Sequence, residues 1–287
     1  MKIDLIRVSV PFLPRIRHWL SLCLLITLAS TPTAFAATET WTTGIGTADW
    51  STAANWTGTN LPPISGDSLI FGATTGVTTL NNDLTLTSLG SITFNADAPA
   101  YTISGNALTG QISSVVVNSA PGVTQTLNLN SAGYSNSALT VTGAGDLAFG
   151  GTLTRGGGIA AMTMNGTGTL TFSGSSNFSP GSNVFLNVNS GTTVLNRTAG
   201  AMNAGINLNG GTLTLAADEQ LKKVSILNIN GGTLDLNGRD SNVNGGGTGV
   251  ATGLSGATGG IGLLTGLGCL ITNYAACTGT IWLVIKV

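Results

Sequence analysis

The ten residues Ile206-Asn-Leu-Asn-Gly-Gly-Thr-Leu-Thr-Leu recur almost unchanged as Leu227-Asn-Ile-Asn-Gly-Gly-Thr-Leu-Asp-Leu, matching at nine of ten positions when Ile/Leu exchanges count. Upstream the same frame reads Leu186-Asn-Val-Asn-Ser-Gly-Thr-Thr-Val-Leu and, loosely, Met162-Thr-Met-Asn-Gly-Thr-Gly-Thr-Leu-Thr-Phe, and the four copies start 24, 20 and 21 residues apart. A partial fifth copy, Leu127-Asn-Leu-Asn-Ser, lies 35 residues before the first. Within a copy, apolar and polar residues alternate strictly. This period of two puts Ile206 and Leu208 on one face of a strand, with Asn207 and Asn209 on the other. Asn-Gly-Gly then supplies a sharp corner, because glycine accepts positive φ at no steric cost and asparagine tolerates it. Alternation resumes with Leu213 and Leu215 inside and Thr212 and Thr214 outside.

A unit of strand, corner, strand and looser return, recurring every 20 residues or so, predicts an all-β fold: a parallel β-helix built from coils of about 20–24 residues. Equal repeat positions then stack one strand spacing apart, roughly 4.8 Å, with Asn and Thr forming ladders outside. Asn-Gly is also a hairpin signal, but strands this short at this spacing suit stacked coils better. They are too short for a transmembrane barrel, whose strands need about 9–11 residues. No later apolar run is long enough for a spanning helix.

The repeats are expected over residues 111–244. Before them, strand-like segments appear at Ser68-Leu-Ile-Phe, Leu84-Thr-Leu-Thr, Ser91-Ile-Thr-Phe, Tyr101-Thr-Ile-Ser and Ser114-Val-Val-Val, then at Leu139-Thr-Val-Thr within the repeats. Residues 37–110 therefore read as a Trp-rich N-terminal cap with irregular first coils, and 245–287 as a Gly-rich tail. Ala216 to Lys223 reads as a solvated loop with a helical turn.

Lys2, Arg7, Arg15 and Arg17 precede an uncharged apolar run from Trp19 to Ala29, followed by Ala34-Phe35-Ala36. That is the pattern of a secretory signal peptide, 1–36, cleaved between Ala36 and Ala37. The expected mature chain has a net charge near −4, no histidine, and no Lys or Arg between Ala37 and Thr154. Only 7% of the whole chain is charged and 42 of 287 residues are glycine, against typical shares of about 25% and 7%. Nucleic-acid binding is excluded on this count, because phosphate contacts need clustered cations. Cys269 and Cys277 could close a small disulfide loop in an oxidising compartment or stand as two thiols. With neither histidine nor further cysteine, no metal site and no cofactor is expected.

Gly168-Thr-Leu-Thr-Phe-Ser-Gly-Ser-Ser-Asn-Phe-Ser-Pro-Gly-Ser, with the Gly-Thr-Leu corner twenty-odd residues on, resembles the autotransporter-associated β-strand repeat of bacterial secreted proteins. The opening Thr40-Trp-Thr-Thr-Gly, Asp49-Trp-Ser-Thr-Ala-Ala-Asn-Trp-Thr and Gly66-Asp-Ser-Leu-Ile-Phe-Gly is similar to the Trp-rich start of such chains. The resemblance covers about Trp41 to Asn244. It implies a passenger-like β-helix, extracellular or on the outer cell surface, acting as a scaffold or adhesin toward a surface partner or polysaccharide. Neither the translocating barrel nor the basic-tailed anchor common in such chains is expected here.

β-Helices also serve polysaccharide lyases and hydrolases, but glycoside hydrolysis needs two carboxylates facing one substrate. The acids close in sequence, Asp235 with Asp240 and Asp218 with Glu219, do not suggest such a pair, so no catalytic residue is expected. Trp41, Trp50 and Trp56 have two readings: rings that stack on sugar faces, or the seal that a terminal unit of a stacked core requires. The second is preferred. An open coil end with few charges also suggests end-to-end self-association.

Overall fold

A computed structural model describes residues 35–42, 47–132, 138–154, 161–174, 178–179, 185–199, 202, 204–221 and 227–239, with short strands at 241–242, 255–256, 263–265 and 270–271. The expected signal residues up to Ala34, and Cys269 and Cys277, lie outside the described residues. Ala36–Val287 forms a compact unit of its own.

That unit is a parallel β-helix. An 11-stranded and a 9-stranded sheet run along it, joined by a three-stranded sheet in the middle coils and a two-stranded one further on. In each repeat one strand joins the first sheet, the chain turns a corner, and the next strand joins the second. The expected register is present: Ile206 lies between Leu186 and Leu227, and Leu208 between Val188 and Ile229. Across the corner Leu213 lies beside Leu234, and Thr214 beside Asp235.

The alternation settles which atoms meet. One inward column of the first sheet runs Glu39, Leu69, Ile92, Val115, Val141, Met164, Val188, Leu208, Ile229. The facing column of the second sheet runs Leu80, Ile103, Leu127, Phe149, Phe172, Leu195, Leu215. Apart from Glu39 these are aliphatic or aromatic, and nearly all are buried in one continuous core. The corner glycines are dictated by backbone approach as well as by φ. Gly211 and Gly232 have φ of 66° and 74°, and a Cβ on either would collide with the carbonyl of the corner below.

Two expectations need correction. Leu127-Asn-Leu-Asn-Ser is not an early copy of the first-sheet strand. Leu127 ends the strand Thr124–Leu127 of the second sheet, against Ile103 and Phe149. Alternation is the same in both sheets, and without a following Gly-Gly corner nothing local tells one from the other. Leu84-Thr-Leu-Thr is not a strand either; the strand is Thr79–Asn82. The buried amide of Asn82 accepts from Leu84 N at 3.2 Å and donates to the Asn106 carbonyl at 2.9 Å, turning the chain out of the sheet while Leu86 still reaches the core.

The first sheet continues without a break across residues 110 and 111, through the pairing of Leu89–Phe94 with Ile112–Val117. Pairing also continues beyond Asn244, where Ser255 and Leu263 lie beside Asn228 and Thr233. Ala216–Leu221 is a turn, with Glu219 at φ 57°. Among the described residues no helix is long and apolar enough to cross a membrane.

Candidate functional site

The outer surface of the first sheet follows from what points away from the core. One outward column reads Ser91, Ser114, Thr140, Thr163, Asn187, Asn207, Asn228. From Asn187 onward it is a hydrogen-bonded amide ladder: Asn207 Nδ2 donates to Asn187 Oδ1 and Asn228 Nδ2 to Asn207 Oδ1, each at 2.8 Å. Two residues along the strand, at the corner, a second ladder links Asn165, Asn189, Asn209 and Asn230, again at 2.8 Å per step. An interior amide such as Asn207 or Asn209 spends one of its two N–H donors and one of its two lone pairs within its ladder. The second sheet presents Thr169, Thr192, Thr212 and Thr233 in one outward column. The result is a long face of neutral donors and acceptors repeated at every coil.

The three tryptophans are not on that face. Trp41, Trp50 and Trp56 are 2%, 0% and 3% exposed, so none offers a ring to a sugar, and the stacking role read for them in the sequence is corrected. They pack edge to face, Trp41 on Trp56 at 5.1 Å and Trp50 on Trp56 at 5.8 Å, above Phe71, Phe94 and Tyr101. Trp56 Nε1 donates to the Trp50 carbonyl at 2.9 Å.

Both backbone edges at this end are covered. Trp56–Thr57 pairs antiparallel with Thr38–Trp41. Asp49 bridges to Asn81, with Trp50 N donating to Asn81 O at 3.0 Å and Asn81 N to Ala48 O at 2.9 Å.

Sequence reasoning missed the buried polar groups. Glu39 and Asp67 are fully buried, and Asn60 joins them, donating its backbone N–H to Glu39 Oε1 at 2.7 Å and its side chain to Asp67 Oδ1 at 2.9 Å. The signal was parity: Glu39 alternates in step with Trp41 and so had to point inward. Beside them the loop 59–65 and residues Leu84–Leu86 frame an open surface hollow of about 720 Å³. The two carboxylates hold the loop from beneath and do not face the hollow as an acid–base pair.

Arg197 is also buried. Its guanidinium lies 5.5 Å from the Phe172 ring and donates to the carbonyls of Phe149 and Gly151 at 3.2 and 3.0 Å. Burial lowers its pKa to about 10, which still leaves it charged at neutral pH. Its backbone exchanges two hydrogen bonds with the buried Gln220 side chain, at 2.8 and 2.6 Å.

Near the surface, desolvation pushes the Asp83 carboxyl up, but the Ser51 hydroxyl and backbone N–H outweigh it and hold it below its ordinary value. Tyr101 donates to the Gly72 carbonyl at 2.8 Å. Burial, aided by the charge of Asp97, pushes its phenol up to about 12. Asp235 faces outward as expected and accepts from Asn237 N at 2.9 Å; Asp240 lies outside the described residues. Among the described residues no cluster of three or more His, Cys, Asp or Glu is placed to hold a metal.

The fold and its surfaces define a parallel β-solenoid with neutral, ladder-bearing faces. No family model matches the chain, nor does any curated protein or solved structure.

Proposed function

We propose that this chain is an exported, passenger-like module of a bacterial cell surface, a scaffold or adhesin without a catalytic centre. The observation that carries the reading is the pair of asparagine ladders. They offer uncharged donors and acceptors in register from coil to coil, a surface suited to an extended neutral partner such as a surface polysaccharide. The low charge supports the same reading, because such a face does not steer polyanions. Export is supported by the signal-like residues 1–36, and the passenger role by the resemblance of the repeat to the autotransporter-associated β-strand repeat.

Cell fractionation with intact-mass measurement tests the proposal. The expected product is extracellular or on the outer surface and begins at Ala37, with no turnover of pectin, alginate or peptidoglycan. A cytoplasmic protein retaining its first 36 residues refutes export. Robust turnover abolished by Asp235→Asn refutes the non-catalytic role.

A further inference from the structure

Residues 37–154 contain no Lys, Arg or His, yet the first coil buries two carboxylates completely, Glu39 and Asp67. Asp67 is met by three N–H groups: Ala37 N and Asn60 Nδ2 reach Oδ1 at 2.7 and 2.9 Å, and Ile64 N reaches Oδ2 at 2.8 Å. Glu39 Oε1 accepts from Thr59 N and Asn60 N at 3.2 and 2.7 Å, while Oε2 has no hydrogen-bond partner. Ala37 is itself fixed, its carbonyl accepting from Ser68 N at 2.8 Å. Ala36, one residue earlier, is exposed.

Neutral donors offset only part of the cost of desolvating carboxylates, and a buried anion is far better served by a cation. No side chain of residues 37–154 can supply one. The nitrogen already in contact with Asp67, however, is the one that cleavage after Ala36 would turn into a chain terminus.

We propose that Asp67 is the docking site for the α-ammonium of the processed chain, so that removing residues 1–36 locks the first coil. The inference rests on the cleavage position proposed above. A peptidase of the export machinery hydrolyses the Ala36–Ala37 bond: water's oxygen goes to the Ala36 carbonyl carbon, and the Ala37 nitrogen leaves as an amine that is protonated at neutral pH. An amide hydrogen bond thereby becomes a charge-assisted one in a buried setting. The carboxylates facing the new cation are Asp67, in direct contact, and Glu39, linked through Asn60.

The test uses residues 37–287 with a free Ala37 amine, the same chain N-acetylated, and the chain retaining Ala36, each with Asp67 or Asp67→Asn. The expected result is a folded-to-unfolded ratio on the order of tenfold higher for the free amine, lost on acetylation and lost in Asp67→Asn. Equal ratios for the free and acetylated chains with Asp67 in place overturn the proposal. Should Asp67→Asn fail to fold, NMR titration of the labelled Ala37 amine decides. A pKa above the ordinary range of about 7.7–8.0 supports docking, and an ordinary value overturns it. Intact mass of the exported protein separates the two readings. An N terminus elsewhere overturns the cleavage position and the lock together, whereas a missing gain with the N terminus at Ala37 overturns the lock alone.

Discussion

The first coils and the last described coils follow one path but are built differently. In the first, the interior is filled by Trp41, Trp50, Trp56, Phe71, Phe94 and Tyr101, and buried polar groups such as Glu39, Asn55, Asp67 and Asn82 each meet a partner of their own. In the last, the strands turn Leu, Ile and Val inward, with a few buried polar side chains such as Arg197 and Gln220, and outward asparagines repeat one bond from coil to coil. An end has no coil beneath it, so it needs large rings and specific plugs to close the core. A middle coil has neighbours of its own kind, so one solution copied is enough. Uniformity is thus a privilege of position in the stack.

The largest expected effects come from the two interiors. Leu213→Asp should prevent coil formation locally, because it puts an unpaired charge into the core. Phe71→Ala should cost about 3–5 kcal/mol and Leu213→Ala about 2–5 kcal/mol, by urea melts. Phe71 touches the rings of Trp41, Trp50, Trp56, Phe94 and Tyr101, so only its truncation should shift indole fluorescence. An equal shift from Leu213→Ala would mean that the two regions are not separable.

Next is the ladder. Asn207→Ala removes two amide hydrogen bonds and should cost about 1–2 kcal/mol. Ser114→Ala, in the same column but among hydroxyls, should stay within about 0.5 kcal/mol. Equal effects in urea melts would deny the ladder its energetic role.

Thr193→Val should go the other way. Thr193 is buried between Leu170 and Leu213, and its hydroxyl has no hydrogen-bond partner. Removing that hydroxyl at nearly constant volume should stabilise by about 1 kcal/mol. A destabilised variant would place an unseen partner at this site.

A pH dependence at high pH should belong to the aromatic coils. The folded-state pKa of Tyr101, about 12, lies above its ordinary 10.0. Its contribution is therefore complete below pH 10 and lost as pH rises toward 12. Tyr101→Phe should remove that component of the melt, and an unchanged alkaline profile would rule Tyr101 out as its source. Asp83, held below its ordinary 3.8, should act oppositely, contributing above that value and failing as pH falls beneath it.

The smallest effect is expected at Thr214→Asp, within about 0.5 kcal/mol, because the neighbouring coil already carries Asp235 at that position. A large loss would contradict the outward assignment of this column.

Where residues recur, the letters alone were enough. Ile206, Leu208, Leu213 and Leu215 declare their faces by parity, the Gly-Gly corner marks the passage from one sheet to the next, and the spacing of the copies sets the register. Before residue 160 the same parity persists without the Asn-Gly-Gly corner, so nothing local assigns Leu127 to the second sheet or distinguishes residues 84–87 from a strand. Tertiary structure alone decided what lies against Glu39, Asp67, Arg197 and the three indoles. Several of those partners lie 20 to 48 residues away in the chain, Thr59 for Glu39, Ala37 for Asp67 and Phe149 for Arg197, and meet them only because stacked coils bring distant backbone within hydrogen-bonding distance. Repetition is a local, one-dimensional property and can be read along a chain; the closure of an end depends on contacts that exist only once the stack has formed.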